Sequence, residues 1–135
     1  MKITIPTDAA MMELGKTIAT QITAPGIIFL EGPLGAGKTT FVRGFLQGKG
    51  HVGKVKSPTY ALVEPYVINQ EKIYHFDFYR VTHFQELADI GIEEYFTQDA
   101  ICLIEWAERM AHFLPKPDLT CKIKIALDSR EVDID

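Results

Sequence analysis

The sequence predicts an α/β fold: three layers, with a mixed, mostly parallel central sheet between helices. Three observations carry this. Strand-like and helix-like segments alternate along the chain. Two runs, IIFL (27–30) and ICLI (101–104), are continuously apolar, as strands covered on both faces must be. Between the first run and the helix that follows it stands a glycine-rich turn, "EGPLGAGKTT", from Glu31 to Thr40.

Each element has its own signal. "KITI" at the start alternates and reads as an edge strand. Thr7 and Asp8 are helix start signals, and Met11, Leu14, Ile18 and Ile22 keep helical spacing until Pro25-Gly26 ends the run. "GIIFLEG" is the first buried strand. After the glycine turn, Phe41, Val42, Phe45 and Leu46 give a second helix one apolar face, with Gly48 and Gly50 as stop signals. "HVGKVKSPTY" is polar and glycine-bearing, and reads as a mobile loop. "ALVEPYV" and "KIYHFDFYR" flank Asn69-Gln70 as the arms of a hairpin. "HFQELADIGIEEYF" is helical with a break at Gly91. "DAICLIEW" is the second buried strand, and "AERMAHFL" a short helix stopped by Pro115. "LTCKIKIAL" and "EVDI" alternate with period two and finish the sheet.

The 135 residues show no internal repeat and no low-complexity linker, so residues 1–135 read as a single domain. A chain of this length buries about two thirds of its unfolded surface. With 47% hydrophobic and 24% charged residues it has the composition of a soluble globular protein. A net charge of −4 excludes the basic sheath of a general nucleic-acid binder, so any RNA is expected to be held by another protein. "MKITIPTDAA" contains no apolar segment of signal-peptide length, and no run approaches a membrane span. Cys102 and Cys121 lie in strand-like apolar stretches and read as buried thiols. The expectation is a cytoplasmic protein with no membrane partner. His51, His75, His83 and His112 form no zinc pattern, and each reads as a surface or satisfied core residue.

Gly32 to Thr39 match G-x-x-x-x-G-K-[ST] in full, which makes the predicted architecture P-loop NTPase-like. Glycines let the backbone curl until successive amides point at one spot, and the positive end of the next helix adds to their pull on phosphate. Lys38 is expected to reach the β- and γ-phosphates of a nucleotide, Thr39 to ligate Mg2+, and Thr40 to touch the α-phosphate.

Such a site needs an acid from the end of a neighbouring strand. Glu105 closes "ICLIE", and Asp77 lies in "YHFDFYR" near the end of another strand. We assign Glu105 to the metal, directly or through water, and Asp77 to the attacking water. The roles can be exchanged, because spacing does not rank acids from different strands. Trp106 alone reads as a core or interface anchor. Lys54, Lys56, Ser57 and Thr59 either sense the γ-phosphate or form a solvated loop. Arg43 and Arg80 are candidate cis arginines, with pairing to surface acids as the plainer reading.

These blocks are familiar together. "LGAGKTTFVRGFLQGKG", "VKSPTYALVEPY", "YHFDFYR", "ELADIGIEEYF" and "DAICLIEW" resemble the TsaE family (older name YjeE) in order and spacing, from about Thr7 to Leu119. The combination of "SPTY", "HFDxYR" and "EW" is far narrower than the phosphate loop alone. The resemblance implies a small ATPase that works with TsaB and TsaD. Their product is threonylcarbamoyladenosine beside the anticodon of tRNAs reading codons that begin with A. It implies nucleotide binding by Gly35, Ala36, Gly37, Lys38, Thr39 and Thr40, and metal binding by Thr39 and Glu105. Asp77 becomes the other required acid, Trp106 joins the catalytic set with Lys38, and Ser57 to Tyr60 become a switch beside the nucleotide. Thr7 and Asp8 fall near the adenine.

The chain departs from the family at Pro33, where Asp is common, and Pro lacks an amide hydrogen. The segment after "EVDID" is also short beside longer members, so a terminal helix is expected to be missing.

Two other classes compete with a partner-gated ATPase. A small kinase needs an acceptor pocket and an arginine-rich lid, and the four arginines here are scattered from Arg43 to Arg130. A GTPase needs an N-K-x-D segment, which is absent. A non-catalytic nucleotide-gated module would depend on Lys38 but tolerate loss of Glu105.

Overall fold

The computed structural model describes residues Met1–Asp135. One sheet holds seven strands in the order β1-β7-β6-β2-β5-β4-β3. They are β1 (Lys2–Ile5), β2 (Gly26–Glu31), β3 (Val63–Ile68), β4 (Glu71–Asp77), β5 (Ala100–Glu105), β6 (Leu119–Ile125) and β7 (Arg130–Ile134). The four central strands β6, β2, β5 and β4 are mutually parallel, β7 and β3 pair antiparallel at the flanks, and β1 pairs antiparallel with β7. Five strands thus point one way and two the other. The sheet is mixed, and mostly parallel in direction.

Side chains alternate between its faces, and that period of two builds two separate cores. Ile28 and Leu30 of β2, Ile101 and Leu103 of β5, and Ile73 of β4 face helices α1 (Asp8–Ala19) and α2 (Lys38–Lys49). Phe29, Cys102, Ile104 and Phe76 face the other way. There they meet α3 (Phe84–Asp89), α4 (Ile92–Thr97) and a 3-10 segment, Ala107–Phe113, that is interrupted at Met110. Two cores on opposite sides of one sheet make the three layers.

Most element boundaries follow local chemistry. The Thr7 hydroxyl caps α1 by accepting from the Ala10 amide. Gly50, at φ 109°, ends α2 in the left-handed conformation, so the helix runs straight through Gly48. Asn69 and Gln70 both have positive φ, 51° and 69°, as a two-residue hairpin turn requires. Gly91, at φ 70°, separates α3 from α4.

Four expectations were too long or of the wrong type. Helix α1 stops at Ala19, and Ile22 packs on the first core from the loop beyond. Strand β4 stops at Asp77, where the Asp77 carboxylate accepts from the Tyr79 amide at 2.9 Å and turns the chain out of the sheet. Ala61 and Leu62 belong to the turn before β3. The segment after Trp106 is 3-10 rather than α.

Helices α1 and α2 approach closely enough for backbone to touch backbone. A Cβ placed at Gly44 would stand 2.1 Å from the Met12 carbonyl oxygen, and one at Gly15 would stand 2.3 Å from that of Phe41. Both cysteines are buried, and burial pushes each thiol up to about 12.

Two outcomes follow. Gly44→Ala raises helix propensity by about 1 kcal/mol, yet the clash with Met12 should outweigh that gain and lower stability by roughly 1–3 kcal/mol. Denaturant unfolding reads the sign directly. Neither thiol should react with iodoacetamide at pH 8 in the native protein, and both should react once it is unfolded.

Candidate functional site

The carboxyl ends of β2, β5 and β4 converge on the first turn of α2. Leu30 pairs with Glu105, and Glu105 with Asp77, in one row across the parallel strands. Leu30 faces the α1–α2 core, so its row partners Glu105 and Asp77 project to that same side. Both acids are buried, with 3% and 7% of their surface exposed.

The turn that precedes α2 needs its glycines. Gly35 and Gly37 have φ of 77° and 108°, which side-chain-bearing residues rarely adopt. A Cβ on Gly37 would also press on Met11 at 3.2 Å. The Pro33 carbonyl accepts from the Ala36 amide at 3.1 Å and closes the turn, a role that needs no amide hydrogen on residue 33. No side chain caps α2, and the amides of Gly37, Lys38, Thr39 and Thr40 donate to no group of the protein. Four aligned donors at a helix start form a site for an anion.

Lys38 is 4% exposed. Its ammonium donates to the Gly32 carbonyl and lies 3.6 Å from the centre of the Trp106 indole. Burial pushes it below its ordinary value, while Glu105, Glu108 and Asp77 push it up. Trp106 itself has a left-handed backbone, φ 61°, which is costly for an aromatic residue and recurs at functional sites. That twist presents the indole to Lys38 immediately after Glu105 leaves the sheet.

The Thr39 hydroxyl lies 3.2 and 3.4 Å from the two Glu105 oxygens. A hydroxyl beside a carboxylate at a phosphate cradle is a hard-oxygen donor set, and it suits Mg2+ completed by phosphate and water. Asp77 is held from two sides: Oδ2 accepts from the Thr59 hydroxyl at 3.1 Å and Oδ1 from the Tyr79 amide. Each oxygen keeps a lone pair for a further donor. The Thr59 hydroxyl in turn lies 2.8 Å from that of Ser57, so the loop read either as a phosphate sensor or as solvated is bonded to the acid through Thr59.

These groups line one cavity of about 520 Å³, together with Gly35, Ala36, Gly37, Thr40 and Asp8. The residues assigned to nucleotide, metal and catalysis are therefore in one place, whereas Thr7, expected near the adenine with Asp8, is outside the cavity lining and caps α1. Of the additional candidates, Ser57, Thr59 and Arg80 line the cavity, whereas Lys54, Lys56 and Arg43 do not. The Arg80 guanidinium is engaged elsewhere, stacked on Tyr60 and bonded to its hydroxyl at 3.1 Å.

Three residues of the site escaped sequence reasoning. His75 is fully buried, and its Nε2 lies 2.6 Å from Glu105 Oε2 while Nδ1 has no partner. It is thus a core histidine that is only half satisfied, and strand parity with Asp77 was the available signal. Tyr79 lines the cavity, its ring 5.1 Å from that of Trp106. Arg130, at the start of β7, donates to the Gly35 carbonyl at 3.3 Å, a proximity no local pattern reveals.

The chain is similar to known proteins over most of its length. The family model described as "Threonylcarbamoyl adenosine biosynthesis protein TsaE" matches residues 5–132. The chain is 47% identical to the tRNA threonylcarbamoyladenosine biosynthesis protein TsaE of Haemophilus influenzae, covering 96% of this chain and 85% of that one. It is 43% identical to the protein of the same name in Bacillus subtilis, over 80% of this chain and 68% of the relative. Among solved structures, the crystal structure of Bacillus subtilis YdiB superposes with a TM-score of 0.83 at 32% identity, covering 98% of this chain and 82% of that one. No helix is long and apolar enough to cross a membrane.

The buried ammonium supplies a test. The folded state holds the Lys38 proton less tightly than the unfolded chain does, so at neutral pH this group weighs against folding. Lys38→Met should therefore raise the stability of the nucleotide-free protein while weakening its anion site, a trade of function for stability. Thermal melts with and without nucleotide measure both halves. In the same variant, emission from Trp106, the sole tryptophan, should change as the cation leaves its face.

Proposed function

This chain belongs to the TsaE family of threonylcarbamoyl adenosine biosynthesis proteins, and on that premise we propose that it is a cytoplasmic P-loop ATPase, one domain over residues 1–135. In this reading it binds ATP with Mg2+, hydrolyses it slowly, and supports TsaB and TsaD in making threonylcarbamoyladenosine on tRNA. The tRNA is held by the partner complex, in keeping with this chain's net charge of −4.

The observation that carries the reading is the meeting of four unpaired α2 amides, the Lys38 ammonium and the Thr39–Glu105 pair at one cavity. The amides receive the phosphates. Lys38 exchanges the Gly32 carbonyl for phosphate oxygens, and Trp106 loses its cation. Thr39 and Glu105 are the groups that would hold Mg2+, which would supply positive charge against the negative charge that develops on the phosphate. Asp77, aligned by Thr59 and Tyr79, accepts a hydrogen bond from a water molecule. As that water's oxygen bonds to the terminal phosphorus, the bond to the ADP oxygen breaks, and the water's proton passes through Asp77 to solvent. Asp8, at the cavity wall beside the start of α1, falls to the nucleoside end.

Arg80 and Arg130 line the cavity, but their guanidinium groups are bonded to the Tyr60 hydroxyl and to the Gly35 carbonyl, so in this reading neither serves as a finger on the terminal phosphate. An arginine finger is worth ~10³–10⁵ in rate, so the isolated chain should turn over slowly and accelerate when TsaB and TsaD are added. Lys38→Ala should lose ATP binding. Glu105→Ala should keep ATP binding, lose hydrolysis by about 100-fold or more, and fail to support tRNA modification. Hydrolysis assays with and without the two partners and tRNA decide the matter. Full-speed turnover by the lone chain would overturn the partner-gated reading, and modification supported by Glu105→Ala would leave a nucleotide-gated module in its place.

A further inference from the structure

We propose that His75 is a positioning residue that sets the orientation of the Glu105 carboxylate and so determines how well the site holds its divalent cation. The inference rests on the ATPase reading, because it gives a partner to the acid assigned there to the metal.

His75 is satisfied on one side only. It is fully buried on the sheet's α1–α2 face, paired with Leu103 and standing between Ile73 and Asp77 along β4. Its Nε2 makes the closest contact to Glu105 in the structure, 2.6 Å to Oε2, while Thr39 stands at 3.2 and 3.4 Å. The other ring nitrogen, Nδ1, is buried with no partner at all. An ionised carboxylate can only accept, so Nε2 must carry hydrogen. A second hydrogen on Nδ1 would be an unpaired buried donor, so the neutral Nε2–H form fits these surroundings.

An imidazole buried with one idle nitrogen is a poor core residue. A leucine or phenylalanine there would avoid an unpartnered polar atom, as Ile73 does two residues earlier on the same face. What the histidine supplies, and an apolar residue cannot, is a fixed donor behind Glu105. By holding Oε2 it prevents the carboxylate from rotating, so both carboxylate oxygens stay within 3.4 Å of the Thr39 hydroxyl, the other group that would hold the cation. Groups that orient a metal ligand in this way typically change metal affinity or activity by 10–100-fold when removed.

The test compares His75→Leu, which has no donor, with His75→Gln, whose amide nitrogen can take the place of Nε2. In metal-free wild-type protein, imidazole 15N–1H NMR should show His75 as the Nε2–H tautomer, and Glu105→Gln should shift that proton. This arm needs neither nucleotide nor catalysis. With ATP present, affinity measured in EDTA should be the same for both His75 variants and wild type. Mn2+ affinity of the ATP complex, read by electron paramagnetic resonance, should fall about 10–100-fold in His75→Leu, with kcat falling in step. His75→Gln should recover most of both.

Wild-type Mn2+ affinity and kcat in His75→Leu would overturn the proposal. So would equal losses in the two variants, which would mark shape rather than the donor as the requirement, or an Nδ1–H tautomer. Should His75→Leu not fold, His75→Asn, whose shorter amide falls short of Glu105, takes its place with the same criteria. Wild-type protein that binds no ATP would instead sink the ATPase reading, and the NMR arm would still report on the bond.

Discussion

The parallel pairing of β2 with β5, and of β5 with β4, fixes where every charge in the site stands. Leu30, Glu105 and Asp77 share one row, and that row lies one residue before β2 gives way to the turn before α2. A slip of one residue between any two of these strands would carry a carboxylate to the opposite face, into the core lined by Phe29, Phe76 and Ile104. The apolar side chains on both faces forbid it, since the slip would bury acids among aromatic rings and push isoleucines out of the first core. The hydrophobic pattern of three strands therefore does the aiming, and the loop chemistry depends on it.

Against that background the burial of charge is concentrated. Lys38, His75, Asp77 and Glu105 are the buried polar side chains of the molecule, and all four belong to one cluster. Elsewhere the interior is apolar. Buried charges cost several kcal/mol each unless paired, and here they are paired only in part: an ammonium on a carbonyl and an indole, a carboxylate shared by a hydroxyl and an imidazole. The two acids exceed the one ammonium, so an incoming polyphosphate meets a site that favours it through amides and Lys38 and opposes it through Glu105 and Asp77. A divalent cation would resolve that conflict, which gives a physical reason for the proposed nucleotide and metal to enter together.

Most of this was legible in the residues because the informative signals are local. The phosphate loop is contiguous, and "ICLIE" announces a buried strand that ends on an acid. Tertiary packing decided what remained. Ile22 keeps helical spacing, yet it serves the core better from a loop once α1 has ended at Ala19. The chain after Trp106 is 3-10 and interrupted at Met110, and it buries Ala107 and Met110 in the second core. His75 looked like one of four dispersed histidines, since only the parity of β4 and the register with β5 bring it to Glu105. Arg130 reaches Gly35 across 95 positions of sequence through the antiparallel return of β7, and no period or motif encodes such a contact.

The glycines between α1 and α2 bear on the site from a distance. Because Gly15 and Gly44 let the two backbones touch, neither helix has the slack of interposed side chains through which it could slide or roll alone. The start of α1, with Asp8 at the cavity wall, and the start of α2, with its open amides, therefore behave as two ends of one stiff yoke. Under the proposed ATP reading, a push on the open amides of α2 would reach Asp8, so the grip on one half of the ligand would be felt mechanically by the other.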